Sequence, residues 1–262
     1  MGLARSVSTP VGLSSASCFP ETLADTFAIA KELGYDGIEI MVSNEIATQD
    51  AGSIMRLSEH FDLPVLSVHA PCLLITQRVW GLEPWGKVRK SVELAQRLGS
   101  PIVVLHPPFR WQKKYAKNFA EKINVLSQES GVDIAIENMF PWSARNREIT
   151  GYLPDYSVLN MGYNNVTLDL SHTATSREDP FEIIARENVV HLHLADGLGS
   201  AQDEHLAPGR GTQPCAEVLA LLKSSTSLKS VVLEVSTRRV ATREERLVIL
   251  AESLAFARAN LE

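Results

Sequence analysis

The stretch VVHLHLAD, residues 189–196, decides the reading of this chain. It starts as a buried strand and ends on polar chemistry. His191 and His193 alternate with Val190, Leu192 and Leu194, the period-two pattern of a strand with two different faces. Other segments also place histidines or carboxylates where an apolar run stops. They are SVHAP (His69), VVLHPP (His106), IAIENM (Glu137), VTLDLSH (Asp169, His172), DEHLAPG (Asp203, His205) and VVLEV (Glu234). Six of the seven histidines fall in this set. Taking His69, His106, Glu137, Asp169, His193 and Glu234 as anchors, the steps run from 24 to 41 residues. That is about one strand, one helix and two short loops.

Working outward, β-branched runs recur at 11–18, 37–42, 64–70, 102–106, 132–138, 166–171, 189–195 and 230–235. Amphipathic runs lie between them, at about 21–33, 50–61, 84–99, 113–129, 154–160, 180–187, 214–224 and 242–260. Pro84 and Pro180 suit a first helical turn, and Gly34 and Gly99 suit the position just past a helix end. Strict alternation makes the class α/β with a parallel sheet. Eight units suffice to close it. An open doubly wound sheet gathers its site at one crevice, whereas here site-type residues follow six strands. The expected fold is a single-domain (β/α)8 barrel spanning 1–262, a length that suits it.

Strand parity sorts the side chains. Val65, Ser67 and His69 share a face opposite Leu66 and Val68. Ala135 and Glu137 oppose Ile134 and Ile136, and Thr167, Asp169 and Ser171 oppose Leu168 and Leu170. His191 and His193 oppose Val190, Leu192 and Leu194, and Val232 and Glu234 oppose Val231 and Leu233. The large aliphatics belong against outer helices and the polar set inside the barrel. A slip of one residue points a carboxylate into the helix layer, at high cost.

The bulk numbers exclude several classes. A formal net charge of −6 argues against a general polyanion binder, and 45% hydrophobic residues is ordinary for a soluble domain. Three scattered cysteines, Cys18, Cys72 and Cys215, do not form a disulfide framework, which favours a reducing cytoplasm. No apolar run reaches membrane-spanning length. The start lacks the apolar core of a signal peptide, and its Met-Gly-x-x-x-Ser match to a myristoylation pattern is of a kind that arises by accident.

Glu137, Asp169, His193 and Glu234 end strands five to eight and form an expected metal set. Its nitrogen and oxygen donors suit Zn²⁺, Mn²⁺, Co²⁺ or Fe²⁺, and Mg²⁺ less well. Asp169 with His172, and Asp203 with His205, offer further ligands on the same rim. His191 lies deeper and reads as a core residue or a support for a ligand, and His60 as a helix-end or surface residue. Glu39 points inward and either orients a ligand histidine or joins a buried ion pair. Pro208-Gly209-Arg210-Gly211 places Arg210 as a clamp for a carboxylate, phosphate or hydroxyl. The long connection 140–155 carries Phe140, Trp142, Arg145 and Arg147 and is expected to shape the pocket.

At these residues the whole chain resembles the xylose isomerase-like barrel superfamily, which joins sugar isomerases and epimerases, inosose-type enzymes and the endonuclease IV family. The resemblance implies Glu137, Asp169, His193 and Glu234 as metal ligands, Glu137 and Glu234 as an acid/base pair, and His172 as a substrate contact. Endonuclease IV enzymes hold three zinc ions with nine ligands. All nine types are matched here by His69, His106, Glu137, Asp169, His172, His193, Asp203, His205 and Glu234. Two features depart from that family. Cys72 stands where an aromatic wedge is expected, and the loop VSNEIATQD, residues 42–50, lacks basic residues to grip a phosphate backbone.

The expectation is therefore an isomerase or epimerase that uses one to three divalent ions on a sugar, sugar phosphate or related polyhydroxy carbonyl compound. It works by proton transfer through an enediolate, catalysed by Glu137, Glu234 and His172, with His69, His106, Arg210 and Trp142 contacting substrate. The alternative is zinc-dependent phosphodiester cleavage at abasic DNA. The expected partners are a carbohydrate-like small molecule and, for a homo-oligomer, a second copy of the chain, rather than nucleic acid or a membrane.

Overall fold

A computed structural model describes residues 9–144 and 147–261. Arg145, the side chain of Arg147 and the amino-terminal pattern lie outside the described part. Ten strands occur among the described residues, numbered in chain order: β1 (Val11–Ser14), β2 (Gly37–Met41), β3 (Val65–His69), β4 (Ile102–Leu105), β5 (Asp133–Glu137), β6 (Trp142–Ala144), β7 (Arg147–Ile149), β8 (Val166–Asp169), β9 (Val189–Leu194) and β10 (Ser230–Leu233). Eight of them, β1–β5 and β8–β10, pair in parallel, and β1 closes on β10. The expected (β/α)8 barrel is the fold. All eight barrel strands fall on the runs read from the sequence.

The helices are α1 (Leu23–Leu33), α2 (Ala51–Phe61), α3 (Pro84–Leu98), α4 (Lys113–Ala116), α5 (Phe119–Ser130), α6 (Leu170–Ser176), α7 (Pro180–Arg186), α8 (Cys215–Leu222) and α9 (Arg243–Leu261). Thr22 and Asp25 form a reciprocal capping box on α1. Pro84 opens α3 and Gly99 closes it in the left-handed conformation.

Strict alternation fails after β5. The antiparallel pair β6–β7 stands there, and the helix expected over 154–160 is absent. Its backbone groups bond to neighbouring loops instead of to each other. The Tyr156 carbonyl accepts from Met139 N–H, and Leu153 N–H donates to the Pro108 carbonyl. The run at 113–129 is likewise split into α4 and α5, with Asn118 left-handed between them.

Parity fails at two residues, both at β-bulges. The β2–β3 register skips Leu66, and the β8–β9 register skips Val190. Val190 turns inward and packs with Ile102, Val104 and Ala135 as an apolar plug inside the barrel. Leu66 also turns inward, against Gly12 and Gly37. A Cβ on Gly37 would sit 2.6 Å from the Leu66 side chain, so glycine is what admits the bulge. Both bulges lie below the polar layer, and the ligand-type residues above them keep their inward face.

Candidate metal centre and cavity

The carboxyl ends of the strands surround a cavity of about 830 Å³. His69, His106, Glu137, His172, Asp203, His205 and Glu234 line it, with Phe140, Trp142 and Tyr152 on one wall. Asp169 and His193 lie fully buried at its floor.

Glu137 is the hub. Its Oε1 lies 3.0 Å from His193 Nδ1, and its Oε2 lies 2.8 Å from His106 Nε2 and 3.3 Å from His69 Nε2. His193 Nδ1 also faces Glu234 Oε2 at 2.8 Å and Asp169 Oδ2 at 3.6 Å. Glu137, Asp169, His193 and Glu234 thus bring one ligand atom each within 4.8 Å of one another. A second group forms beside them. His172 Nε2 and His205 Nε2 lie 3.5 and 3.0 Å from Asp203 Oδ2.

The far side of each ring shows what these nitrogens are for. His193 Nε2–H donates to Glu39 at 3.1 Å. His69, His172 and His205 donate Nδ1–H to the carbonyls of Ala70, Asn138 and Glu234, at 3.0, 2.8 and 2.7 Å. One proton on each ring is spent away from the cavity, so the other nitrogen of the neutral ring points a lone pair at carboxylates. Lone pairs facing carboxylates repel unless a cation lies between them or the ring is doubly protonated. Asp169 Oδ2 and Glu137 Oε2 are buried without a hydrogen-bond donor. The donor set fits a divalent cation.

Without a cation, protons supply the positive charge. Burial raises the Glu137 carboxyl, but the charges on His106 and His193 more than offset this and hold it well below the usual range. Burial lowers His193, yet Glu39, Glu234 and Glu137 hold it well above the ordinary value. His172 is pushed up to about 10 by Asp169, Asp203 and Glu137 against its burial.

Local structure sets these positions. Asp169 ends β8 and also caps α6, its Oδ1 accepting from His172 N–H at 2.8 Å. That cap turns the chain so that an Asp-x-x-His step lands on one rim. Asn138, not singled out by the sequence reading, clamps Asp169. Its Oδ1 accepts from Asp169 N–H at 2.7 Å, and its Nδ2 donates to the Asp169 carbonyl at 3.0 Å. The visible signal was its place, one residue past a strand-end Glu.

Beneath the ring, buried Glu39 takes three donors on one oxygen: Ser67 Oγ at 2.8 Å, and His191 and His193 Nε2 at 3.1 Å each. Glu39 and His191 thus lie behind the cavity as supports. Cys72 also lies behind it, beside His69 and His106. Burial raises its thiol, but the two rings bring it down to about 6.

Arg210 does not join the site. Its guanidinium pairs with Glu252 on α9 at 2.5 Å, and it is not among the cavity-lining residues. The glycines flanking it do allow close approach, but to protein: Gly209 and Gly211 N–H donate to buried Asp196 at 3.0 and 2.9 Å. Trp142 does line the cavity.

Residues 27–260 match the family described as Xylose isomerase-like TIM barrel. An uncharacterized protein of Mycobacterium tuberculosis is 47% identical, covering 96% of this chain and 97% of its own. Among solved structures, a D-tagatose 3-epimerase-like protein superposes with TM-score 0.66 at 21% identity, covering 97% of this chain and 100% of its own. An AP endonuclease of family 2 from Brucella melitensis gives TM-score 0.64 at 17% identity, covering 93% and 98%. At these identities the two structures speak for the fold. The chain belongs to the xylose isomerase-like TIM barrel family.

Proposed function

We propose that the protein is a divalent-metal-dependent isomerase or epimerase of a polyhydroxy carbonyl compound. The observation that carries this reading is the pair Glu137 and Glu234. Both carboxylates face His193 Nδ1, at 3.0 and 2.8 Å, at the floor of one cavity. Glu137, Asp169, His193 and Glu234 would hold the ion. Its chemistry is Lewis-acid polarisation of a substrate carbonyl and its neighbouring hydroxyl.

The chain's own groups do the rest. One of Glu137 and Glu234 takes the proton from the carbon beside the carbonyl, and the other returns one to the opposite face or to the adjacent carbon. Both carboxylates contact the same ring nitrogen of His193. His172, fixed through Nδ1 by the Asn138 carbonyl, offers Nε2 to a substrate oxygen. His69 and His106 face the other oxygen of Glu137 and line the cavity beside it. Trp142, Phe140 and Tyr152 exclude water from one wall, which strengthens each of these contacts.

The test is solvent-deuterium incorporation into ketoses and ketose phosphates by the metal-loaded protein, with Glu137→Gln and Glu234→Gln in parallel. Exchange in the wild type that is lost in both variants supports the reading. Turnover surviving in both variants overturns it.

One observation favours the phosphodiesterase reading: Asp169, His172 and His205 gather into a further metal-type group, with Asp203 beside both histidines. The cavity walls speak the other way. Arg238 is the one lysine or arginine among the described lining residues, and Leu74 and Ile75 on the wall are exposed and apolar. A duplex needs several cations along its backbone. Nicking of an abasic duplex by the zinc-loaded protein would favour the second reading.

A further inference from the structure

The chain beyond β10 carries a feature that the metal centre does not use. Residues 234–237 continue past the strand with alternating burial, and Arg238 opens a turn closed by Val240 N–H on the Thr237 carbonyl. Val235 and Thr237 are buried, while Glu234, Ser236 and Arg238 face the cavity. Three hydrogen bonds pin the segment. Ser236 N–H donates to the His205 carbonyl at 2.8 Å, and Thr237 Oγ1 accepts from Arg246 Nε at 2.8 Å while donating to the Ser17 carbonyl. An acid/base carboxylate and an arginine therefore stand on one edge of one cavity. The four steps between them set an upper limit of about 13 Å on the separation of their backbones.

The charge accounting isolates that arginine. Three nearby cations are paired, Arg243 with Glu21 and Asp25, Arg246 with Glu21, and Arg258 with Asp36, while Arg239 is exposed and does not line the cavity. Glu21, the cavity-wall carboxylate near Arg238 in this region, is thus held by two arginines. Among the described residues Arg238 itself has no carboxylate partner. Its guanidinium lies over the Phe19 ring, 5.3 Å from the centroid. That stacking covers one face of the fork and leaves its N–H edge for a planar or tetrahedral anion. The Ser236 hydroxyl sits two residues away on the same wall and has no protein hydrogen bond among the described residues.

We propose that Arg238 anchors an anionic group of the substrate, a terminal phosphate or carboxylate, so that the site takes an anionic polyhydroxy carbonyl compound in preference to a neutral sugar. The inference rests on the isomerase reading, because Glu234 marks the reacting end from which the anion is measured. The reacting carbons lie at Glu137 and Glu234, and the charged end lies at Arg238. Among the described lining residues one unpaired cation meets one charge, which disfavours a polynucleotide.

The test is binding, which is independent of turnover. Quenching of the cavity tryptophan is titrated with D-xylulose 5-phosphate, D-xylonate and D-xylulose on the metal-loaded protein. Wild type is expected to bind the better of the two anions at least about tenfold more tightly than the neutral sugar, the scale of a charge-assisted bidentate contact. Arg238→Gln is expected to erase that difference while leaving D-xylulose affinity unchanged. Arg238→Lys keeps part of it, and Arg239→Gln, a neighbouring exposed arginine outside the lining, keeps all of it. Preference for D-xylulose 5-phosphate over D-xylonate identifies phosphate, and the reverse identifies carboxylate. Equal affinity for anionic and neutral probes, a difference that survives Arg238→Gln, or no binding of either anion at millimolar concentration overturns the proposal. Tighter binding of an abasic oligonucleotide than of every small probe overturns it as well. If deuterium exchange fails while the Arg238-dependent preference stands, the isomerase reading falls and the anion site remains.

Discussion

Replacing Glu39 by glutamine removes a buried charge and keeps the shape of the side chain. Three donors converge on Glu39 Oε2, at 2.8, 3.1 and 3.1 Å, and one of them is His193 Nε2–H. The negative charge there makes His193 Nδ1 a stronger electron-pair donor to a cation held among the carboxylates. Loss of such a partner typically costs 10- to 100-fold in metal affinity, or about 1.4–2.8 kcal/mol. A second effect concerns folding. Glu39 Oε1 is buried without a donor, so the glutamine amide placed there becomes an unpaired donor worth about 1–3 kcal/mol. Metal affinity is measured by equilibrium competition against a chelator, and stability by urea unfolding of the metal-free protein. Glu39→Gln is expected to fold, to lose roughly that stability and to bind the ion at least about tenfold more weakly. Affinity within about twofold of wild type would refute the link from Glu39 through His193 to the metal.

Stability of the metal-free protein depends on pH with a definite sign. His172 and His106 are pushed up to about 10 and about 9 against the ordinary value of 6.5, because nearby Asp169, Asp203, Cys72 and Glu137 outweigh burial. Their contribution is complete below 6.5 and is lost as pH rises through 9 to 10, so urea stability should fall across that window while metal affinity rises; flat stability there contradicts the account. Glu137, held well below its ordinary 4.5, contributes above that value and loses its contribution as acid is added. Arg210→Gln should leave metal and substrate binding unchanged and cost at most about 1 kcal/mol, because its pair with Glu252 is half exposed; a large loss in ligand affinity would return Arg210 to the site. Asn138→Ala should destabilise by about 1–3 kcal/mol in urea unfolding, since it leaves the N–H of buried Asp169 without its acceptor and removes one donor from the Asp169 carbonyl; a neutral result would deny the clamp.

Much of this molecule is legible in its sequence because a parallel barrel repeats one unit. The alternation His191–Leu192–His193–Leu194 fixes faces on β9, and the same logic places Glu137, Asp169 and Glu234 on one rim. What parity misses is register. Leu66 and Val190 change face at bulges, and a bulge depends on the neighbouring strand and on glycines such as Gly37, which are distant in sequence. The segment 154–160 has helix-like spacing, but its backbone partners include Met139 and the Glu187 side chain, distant in sequence. Arg210 looked like a clamp because it is flanked by glycines, while its actual partner, Glu252, arrives 42 residues later. Asn138 was equally hidden. A single amide past a strand end gives no periodic signal, and its role appears only when β8 is brought beside β5.

The account turns on one claim: the rim of Glu137, Asp169, His193 and Glu234 holds a divalent ion. Elemental analysis of the purified protein, reconstituted with Zn²⁺, Mn²⁺ or Co²⁺ near neutral pH and then desalted, tests it directly. At least one ion per chain should remain, and Asp169→Asn and His193→Ala should each release it while the protein still unfolds cooperatively. A wild-type protein that retains no divalent ion, or the same ion content in both variants, would contradict the claim.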